Sequence, residues 1–580
     1  MSIERLFETG ERMQDRSHFR NMVLIARADG VISEQEVALL QTPLLETNTI
    51  DFSVLEQIEK MVNQFPNAVA LQYKNEILTY RGLNKRANQL ANYLKSNGIN
   101  SGDKIALYNY RNTDYIVSVL AVMKLGGVFI PIASNQPNER ISFILSNSNA
   151  SIVLTNPELK NNLKAIEIPI VDILSHIDSI EKEPSDNLNA KQDLNSLAYI
   201  LYTSGSTGNP KGVLISNKAL SNYIFWGKNY YEFSNKSSFA LFTSIGFDLT
   251  ITSTFLPLVS GGRIIVYKEN ISGPDSSILD VIKDNLVDTI KLTPSHLAFF
   301  KDKDLTNSAI EKIIVGGEDF KVNLGKSIKL SFGNRVRIFN EYGPTEATVG
   351  CIVSEFDIEK HLDSSIPIGD SIKNMHAYIL DSHKNIVPKG VVGELYLSGD
   401  SLANGYLKLE DLTNSKFIDN PFVEGRKMYH TGDLARINRS GEFEYLGRVD
   451  EQVKLRGYRI ELTDIESNLL EYQGIEDCAV VLVENDKIII PEELKTILEA
   501  FDNRGELLKG FDENLEIRDF VTGLRKKLIL LFKEHAVVHL QIGKSYQYSE
   551  GIEENSLNLV KAIKQYTDPD NLINPGSLGL

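Results

Sequence analysis

A strand-like run that leads into a loop of hydroxyl groups and glycines constrains this chain more than any other part of its sequence. Residues 198–202 are apolar or aromatic, and residues 203–212 are rich in hydroxyls and glycines and include Lys211. Glycine tolerates backbone angles that other residues resist, so several N–H groups of such a loop can point inward at one anion. The pattern predicts a polyphosphate-binding loop after a buried strand. Its spacing differs from that of the P-loop, Gly-x4-Gly-Lys-Ser/Thr.

Composition excludes several classes of partner. The chain has 580 residues, which is too long for one hydrophobic core, so more than one domain is expected. Its net charge of −16 argues against nucleic acid or an anionic membrane as the main partner. No apolar run approaches the ~20 residues that span a bilayer. The first residues also lack the basic-then-apolar pattern of a secretory signal, so a cytoplasmic protein that binds small molecules is expected.

The loop at 203–212, Thr-Ser-Gly-Ser-Thr-Gly-Asn-Pro-Lys-Gly, resembles the signature loop of adenylate-forming enzymes, in particular the adenylation domains of nonribosomal peptide synthetases. The resemblance implies an α/β fold. Its large core of several subdomains, with sheets flanked by helices and a small β-barrel, precedes a mobile lid. The resemblance also implies that Lys211 and the loop hold the phosphates of ATP. The loop residues concerned are Thr203, Ser204, Gly205, Ser206, Thr207 and Gly208.

Two further motifs follow in the order that this family has. In Asn-Glu-Tyr-Gly-Pro-Thr-Glu at 340–346, the resemblance implies that Tyr342 lies against adenine, while Thr345 and Glu346 serve the phosphate and Mg²⁺. A carboxylate suits a hard cation that bridges phosphate oxygens. In Tyr-His-Thr-Gly-Asp-Leu-Ala at 429–435, Asp433 is implied to hold both ribose hydroxyls, as an acceptor-only carboxylate can.

The stretch 447–462 matches the hinge of the family and the first part of its lid. Asp450 occupies the hinge position, and rotation about it would exchange an adenylating arrangement for a thiol-accepting one. The resemblance assigns catalytic roles to Lys211, Glu346, Asp433 and Asp450, with Glu346 as the metal ligand. The other residues that it places around the nucleotide are Gly317, Glu318, Asn340, Gly343, Arg448 and Lys454.

The family selects its amino acid with residues that can be located from flanking motifs. Asp248 is implied to pair with the α-ammonium group of the substrate, which favours an α-amino acid over a fatty or aryl acid. The remaining pocket positions are Leu249, Thr252, Lys291, Ile314, Gly316, Glu341, Val349 and Gly350.

The side-chain end of this pocket combines a cation, Lys291, with a carboxylate, Glu341. Buried charges need partners, so a substrate with both an acceptor and a donor is expected. A carboxamide meets both needs, because its oxygen accepts from Lys291 and its NH2 donates to Glu341. The set also resembles the family's asparagine pattern, so L-asparagine is the predicted substrate; glutamine differs by one methylene, worth only ~1–3 kcal/mol in a pocket. The alternative interpretation is that Lys291 and Glu341 pair with each other beneath an unrelated substrate.

The sequence divides into four parts. Residues 1–45 read as a helical segment, similar to part of a tellurite-resistance-type helical bundle, and residues 50–449 match the adenylation core. Residues 450–486 match the start of the lid, after which the family pattern stops. Residues 487–580 form a tail, expected to be α+β, that resembles the C-terminal end of FAD-linked oxidases. The chain is therefore interpreted as a mosaic.

The incomplete match to the lid predicts slow adenylation. In the family the lid ends in a loop whose lysine touches the substrate carboxylate and ATP; Lys544 lies near that position, but its neighbours do not match. No pantetheine-accepting serine motif is found, so a carrier protein bearing phosphopantetheine is expected to act in trans. FAD is not expected as a cofactor, because the tail alone is too short for a flavin site. The alternatives are a catalytically weak remnant that binds ATP and an amino acid, and a flavin-linked oxidase fragment.

Overall fold

The computed structural model describes residues 49–164, 166–188, 192–204, 210–270 and 276–449, together with 453–455, 458–460, 462, 465 and 480. The helical segment predicted at 1–45, the hinge residue Asp450 and the tail at 487–580 lie outside the described residues, as does nearly all of the lid. Within the described residues, no helix combines the length and the apolar character needed to cross a membrane.

The strands of the described residues belong to four sheets. In chain order they are β1 (Val69–Tyr73), β2 (Glu76–Thr79), β3 (Lys104–Asn109), β4 (Val128–Ala133), β5 (Ile152–Thr155), β6 (Ile170–Asp172), β7 (Leu197–Thr203), β8 (Lys211–Ser216), β9 (Ser238–Leu241), β10 (Arg263–Val266), β11 (Thr289–Leu292), β12 (Lys312–Gly316), β13 (Arg337–Tyr342), β14 (Ile352–Glu355), β15 (Asp370–Ser371), β16 (Met375–Leu380), β17 (Gly393–Gly399), β18 (Phe417–Asp419), β19 (Lys427–Ile437), β20 (Phe443–Arg448), β21 (Val453–Leu455) and β22 (Tyr458–Ile460).

Helices flank the two larger sheets, and the last helix of the described residues lies beside β18 and β19 of the five-stranded sheet. In chain order they are α1 (Val54–Gln64), α2 (Tyr80–Ser96), α3 (Thr113–Leu125), α4 (Asn138–Ser148), α5 (Pro157–Lys160), α6 (Ile177–Ile180), α7 (Asn217–Tyr230), α8 (Leu249–Ser260), α9 (Ser277–Asp284), α10 (Pro294–Leu297), α11 (Val322–Ser331) and α12 (Glu410–Lys416). Single 3-10 turns lie at Asn161–Leu163, Leu174–His176, Ala298–Phe300 and Thr345–Ala347.

A six-stranded sheet has the order β6-β5-β3-β4-β7-β8 and is parallel except for its last pair. Its strands are covered on both faces, which is why they read as continuous apolar runs. The strand predicted at 198–202 is confirmed within β7, and β8 returns antiparallel to it, with Thr203 opposite Lys211. The loop between them therefore begins and ends at one edge of this sheet.

The sequence around Gly126 determines how a helix meets this sheet. Helix α3 ends at Leu125, Gly126 adopts a left-handed conformation with φ of 74°, and the fully buried strand β4 begins at Val128. A glycine in the left-handed conformation commonly ends a helix, and here it lets the chain turn into a buried strand.

A nine-stranded sheet has the order β15-β14-β13-β12-β11-β9-β10-β1-β2. Its pairs from β13 to β1 are parallel, so the carboxyl ends of β11, β12 and β13 meet at one edge. Ligands of open α/β sheets bind beyond such carboxyl ends. Lys291 lies in β11, Gly316 ends β12, and Glu341 and Tyr342 end β13.

A five-stranded antiparallel sheet has the order β16-β17-β19-β18, and β20 pairs with β19. It is the part of the structure that corresponds to the small β-barrel implied by the resemblance. It brings Asp433 of β19 opposite Arg448 of β20. Two compact units are distinguished within the chain. One contains the three sheets described so far, and the other contains Ser204, Pro210 and the hairpin β21–β22, which is antiparallel.

Candidate active site

The segment 340–346 carries the centre of the site, because it contributes one side chain to each of three polar clusters. Glu341 belongs to the first cluster, Glu346 to the second and Tyr342 to the third. Thr345, in the same segment, donates from its Oγ1 to Asp248 Oδ2 at 2.8 Å. Strand β13 and the 3-10 turn after it thus organise all three clusters.

The first group, called here the pocket cluster, consists of Tyr223, Tyr231, Thr252, Lys291 and Glu341. Lys291 Nζ makes a short ion pair with Glu341 Oε1, and both side chains are almost fully buried. Lys291 also donates to Thr252 Oγ1 at 2.9 Å and to the Tyr223 hydroxyl at 3.0 Å. Glu341 accepts from the hydroxyls of Tyr223 and Tyr231. The ion pair required by the alternative interpretation of this pocket is therefore present.

Small and apolar residues occupy the other positions predicted for this pocket. A Cβ at Gly350 would lie 2.4 Å from Glu341 Oε1, so only glycine leaves room there for the carboxylate. Val349 and its neighbour Thr348 have φ of 69° and 55°, a conformation that β-branched residues rarely adopt. Thr348 is held by a hydrogen bond from its Oγ1 to Ser401 O at 2.7 Å. The other positions predicted for the pocket are Leu249, Ile314 and Gly316, all of which are buried.

Asp248 lies immediately before α8 and is partly exposed, with Oδ2 on Thr345. Burial raises the pKa of Asp248, and the Glu341 and Glu346 carboxylates raise it further, against the hydrogen bond from Thr345 and the charge of Lys291. The Asp248 carboxylate therefore lacks sufficient positive charge nearby, and a cationic group of a ligand would stabilise its ionised form.

The second cluster joins Glu346 to Tyr406 and Lys211. Glu346 is fully buried, and its Oε1 accepts from the Tyr406 hydroxyl at 2.7 Å. Lys211 Nζ lies 5.4 Å from the centroid of the Tyr406 ring. One tyrosine thus contacts the carboxylate assigned to the metal and faces the cation assigned to the phosphates.

The phosphate loop is described at its ends alone. Thr203 Oγ1, at the end of β7, is buried and makes no hydrogen bond within the described residues. This buried hydroxyl, next to the first residue of the loop, is therefore a donor that an anionic ligand could accept from. Gly205, Ser206, Thr207 and Gly208 lie outside the described residues.

The third cluster places Asp433 between two donors. Its Oδ2 accepts a short hydrogen bond from the Tyr342 hydroxyl, and its Oδ1 lies 2.6 Å from Arg448 Nη1. Asp433 is 1% exposed, and its backbone N–H donates to Thr431 Oγ1 at 2.9 Å. Tyr342 and Tyr445 lie with ring centroids 6.3 Å apart. The carboxylate predicted to bind ribose is therefore fixed in place by its neighbours.

The remaining residues that the sequence predicts around the nucleotide are Asn340, Glu318, Gly343 and Lys454. Both Nδ2 bonds of Asn340 go to the backbone carbonyls of Ile366 and Pro367 at 3.0 Å, which gives Asn340 a structural role. Glu318 follows Gly317 and accepts from Ser295 N and Oγ at 3.0 and 2.6 Å. These bonds hold the Glu318 carboxylate on the first turn of α10. A Cβ at Gly343 would lie 2.6 Å from Val349 O, so a larger residue would clash there. The backbone of Lys454 belongs to β21.

Three hydroxyls of the site have no motif that predicts them. Tyr223 and Tyr231 come from α7 and the residue that follows it, and Tyr406 comes from the connection between β17 and α12. The spacing of Ala219, Tyr223 and Gly227 predicts a buried helix face. That pattern indicates burial but does not identify the group that a buried hydroxyl meets.

Comparison with known protein families identifies the chain. The model of the AMP-binding enzyme family matches residues 58–407, which include all of the pocket cluster and Tyr406. The chain belongs to the AMP-binding enzyme family. Within the described residues, no three His, Cys, Asp or Glu side chains gather as a metal site.

The curated relatives of this AMP-binding enzyme are much longer proteins. It is 44% identical over 422 residues to bacitracin synthase 3 of Bacillus licheniformis, covering 73% of this chain and 6% of that protein. It is 40% identical over 465 residues to tyrocidine synthase 3 of Brevibacillus parabrevis, covering 79% of this chain and 7% of that protein. The chain therefore corresponds to a small part of each.

Solved structures support the fold. An artificially fused adenylation–PCP di-domain NRPS from Klebsiella oxytoca, NpsA-ThdA, has a TM-score of 0.68 at 24% identity, covering 75% of this chain and 86% of that chain. A four-domain nonribosomal peptide synthetase bound to AMP and glycine has a TM-score of 0.60 at 27% identity, covering 75% of this chain and 32% of that chain.

Proposed function

We propose that this AMP-binding enzyme activates L-asparagine with ATP, giving asparaginyl-AMP and pyrophosphate, for transfer to the phosphopantetheine thiol of a carrier protein. The observation that carries the proposal is the pocket cluster, a buried cation and carboxylate surrounded by hydroxyls, beside the partly exposed Asp248. Amino-acid activation is also supported by the similarity to bacitracin synthase 3 and to a synthetase structure bound to AMP and glycine.

Asp248 would receive the α-ammonium group. Burial and two nearby carboxylates raise its pKa, so a cation beside it would remove an unfavourable interaction and keep the carboxylate ionised. A fatty or aryl acid offers no such cation. This end of the pocket therefore selects for an amino acid.

The charge balance of the pocket favours a neutral side chain. Asp248, Glu341 and Glu346 are carboxylates near the ammonium of Lys291, which is already paired with Glu341. The carboxylate of aspartate would add repulsion, whereas the NH2 of a carboxamide would donate to Glu341. The carboxamide oxygen would replace one of the hydroxyls that now accept from Lys291. Glutamine would be disfavoured by its extra methylene, by about ten-fold or more.

The other two clusters would hold the nucleotide. Asp433 would accept from the ribose hydroxyls, and Lys211 with Thr203 would contact the phosphates. Glu346 would hold the Mg²⁺ that accompanies ATP, which supplies neutralisation of phosphate charge. Tyr342, whose hydroxyl is tied to Asp433, would bring its ring to the adenine.

The reaction requires positioning more than covalent catalysis. The asparagine carboxylate attacks the α-phosphorus, a C–O–P linkage forms, and pyrophosphate leaves with the electron pair of the broken P–O bond. The protein contributes alignment of the two reactants and compensation of charge on the phosphates.

Exchange of labelled pyrophosphate into ATP, run with each of the twenty amino acids, tests the proposal. We expect exchange with asparagine and at least about ten-fold less with glutamine. Asp248→Asn keeps an acceptor for Thr345 but removes the charge, so it should abolish exchange while ATP binding persists. Asp433→Ala should abolish ATP binding itself.

Each result has a distinct meaning. Exchange with a different amino acid alone would refute the asparagine assignment. Bound ATP without any exchange would favour the remnant that binds substrates and hardly turns over. Unchanged ATP affinity in Asp433→Ala would refute the placement of the nucleotide. A flavin absorbance spectrum in purified protein would favour the oxidase alternative.

A further inference from the structure

One hydroxyl contacts every polar member of the predicted side-chain pocket. The Tyr223 oxygen lies 2.6 Å from Thr252 Oγ1, 3.0 Å from Lys291 Nζ, and 3.1 and 3.2 Å from the two Glu341 oxygens. Tyr223 is 0% exposed and comes from α7, whereas its three partners come from α8, β11 and β13. No motif of the sequence assigns it a role.

The donors and acceptors of this group admit a consistent pattern. An ammonium has three N–H groups, and Lys291 directs them at Glu341, Thr252 and Tyr223. Thr252 can then donate to the Tyr223 oxygen, and Tyr223 donates its proton to Glu341. Burial and the charge of Glu341 raise the pKa of Tyr223 well above its usual value, so the hydroxyl keeps this proton.

The carboxylate has a limited number of acceptor positions. Two oxygens offer about four lone-pair sites, and Lys291, Tyr223 and Tyr231 occupy most of them. About one acceptor position is left for a substrate donor. The hydroxyls therefore determine how many donors Glu341 can still accept and in which direction.

We propose that Tyr223 is a specificity-positioning residue, whose hydroxyl orients Lys291 and Glu341 so that the pocket accepts a neutral carboxamide and rejects a carboxylate. The proposal rests on the proposed function and adds to it a residue outside the sequence-predicted pocket.

Tyr223→Phe tests the proposal, because it removes the hydroxyl and keeps the ring. A hydrogen bond to a charged group is lost, so the KM for asparagine in pyrophosphate exchange should rise about ten-fold. The KM for ATP should change less than about two-fold. The ratio of kcat/KM for asparagine to that for aspartate should fall, because Glu341 and Lys291 are no longer held in one orientation.

A second readout does not need turnover. Trp226 is the single tryptophan of the chain, and its ring lies 6.0 Å from that of Tyr223 and 5.4 Å from that of Tyr231. Titration of its fluorescence with asparagine, with and without ATP, should give a Kd for the wild-type chain that is about ten-fold lower than that for Tyr223→Phe.

Two tyrosine variants serve as controls. Tyr80→Phe removes another buried hydroxyl, which donates to Gly262 O at 2.7 Å, and should lower stability without changing the asparagine-to-aspartate ratio. Tyr230→Phe alters an exposed neighbour that also stacks on Trp226, and should leave KM and fluorescence titration unchanged.

The outcomes separate the two proposals. Wild-type KM and discrimination in Tyr223→Phe, or a loss of stability equal to that of Tyr80→Phe with no change in selectivity, would overturn the role of Tyr223. If wild-type protein responds to a different amino acid, the asparagine assignment fails. The role of Tyr223 then stands if Tyr223→Phe weakens binding of that amino acid, and falls if it does not.

Discussion

At the scale of single residues, Tyr406 connects the two groups of the site that would face phosphate. Its hydroxyl donates to Glu346 at 2.7 Å, and its ring faces Lys211 Nζ at 5.4 Å. Glu346 is fully buried, so the direction of its carboxylate depends on the donors around it. Tyr406 therefore orients the carboxylate that is proposed to hold Mg²⁺.

We expect Tyr406→Phe to weaken the use of Mg²⁺ more than the use of the amino acid. The lost bond is to a charged group, which corresponds to roughly 1.5–3 kcal/mol. The Mg²⁺ concentration for half-maximal exchange should rise about ten-fold, and the asparagine KM should stay nearly constant. Equilibrium dialysis of ATP with and without Mg²⁺ gives an independent readout. Equal Mg²⁺ dependence in both proteins would contradict this role.

The motifs predicted which residues gather at the site but not what holds them. Thr252, Lys291 and Glu341 converge as the pocket assignment requires, and Asp433 lies beside Arg448. Their hydroxyl partners come from segments without a motif, since a tyrosine on a buried helix face has no sequence signal for its distant acceptor. Asn340, predicted to contact nucleotide, also donates from Nδ2 to the backbone carbonyls of Ile366 and Pro367, which its motif does not predict.

At the scale of elements, residues 404–407 explain how Tyr406 reaches the site. This segment runs along β8, with hydrogen bonds from Asn404 N to Leu214 O, from Leu214 N to Gly405 O and from Leu407 N to Gly212 O, of 2.8, 3.0 and 2.8 Å. It thereby covers an edge strand that would otherwise expose unpaired backbone groups. Tyr406 forms an antiparallel β-bridge with Val213, and this places its side chain next to Lys211.

Gly405→Ala should disrupt the pairing of residues 404–407 with β8 and so displace Tyr406. Gly405 has φ of 119°, and a Cβ there would lie 2.4 Å from Thr413 Cγ2, so the variant suffers both backbone strain and a clash. We expect a loss of about 2 kcal/mol or more in the free energy of unfolding, measured with urea, and reduced exchange activity. Gly441→Ala is the matched control, because Gly441 has φ of 99° and open space around its Cβ position. Equal losses in the two variants would contradict the importance of the contact with Thr413.

Local elements were predictable where the signal was local. The strand predicted at 198–202 is confirmed within β7, and the end of α3 at Gly126 likewise depends on neighbouring residues. The covering of β8 by residues 404–407 depends on pairing between segments far apart in sequence, which no local pattern encodes. The described residues of 175–195 are largely exposed, and Asn187 Oδ1 accepts from Asn84, Asn88 and Lys124, which ties this segment to α2 and α3.

At the scale of the whole molecule, a charged group joins the nine-stranded sheet to the five-stranded sheet. Glu442, just before β20, accepts from Ser354 of β14 at 2.8 Å and lies 3.6 Å from His361 Nε2. His361 is the largest cause that lowers the pKa of Glu442 to about 2, and Ser354 and Ser440 lower it further, against the effect of burial. The ionised carboxylate therefore stabilises the junction of the two sheets.

The sign of the resulting pH dependence follows from the lowered pKa. Because the pKa of Glu442 falls from 4.5 to about 2 on folding, its stabilising contribution is complete above about pH 4.5 and is lost as the pH falls towards 2. The site is partly exposed, so screening reduces the contribution to the order of 1 kcal/mol. Asp370, whose pKa burial and Glu442 raise, acts in the opposite direction over the acidic range.

Glu442→Gln tests the stabilising contribution of the Glu442 charge, because it keeps an acceptor for Ser354 and removes the titrating group. We expect the variant to be less stable than wild type at pH 7 by on the order of 1 kcal/mol, and the difference to shrink between pH 4.5 and pH 2. Urea unfolding across this pH range measures it. Glu359→Gln, at an exposed position on the same loop as His361, should parallel wild type at every pH. A constant difference between Glu442→Gln and wild type would show that the charge does not hold the sheets together, and that packing and the backbone bridge from Gly369 to Phe443 do so instead.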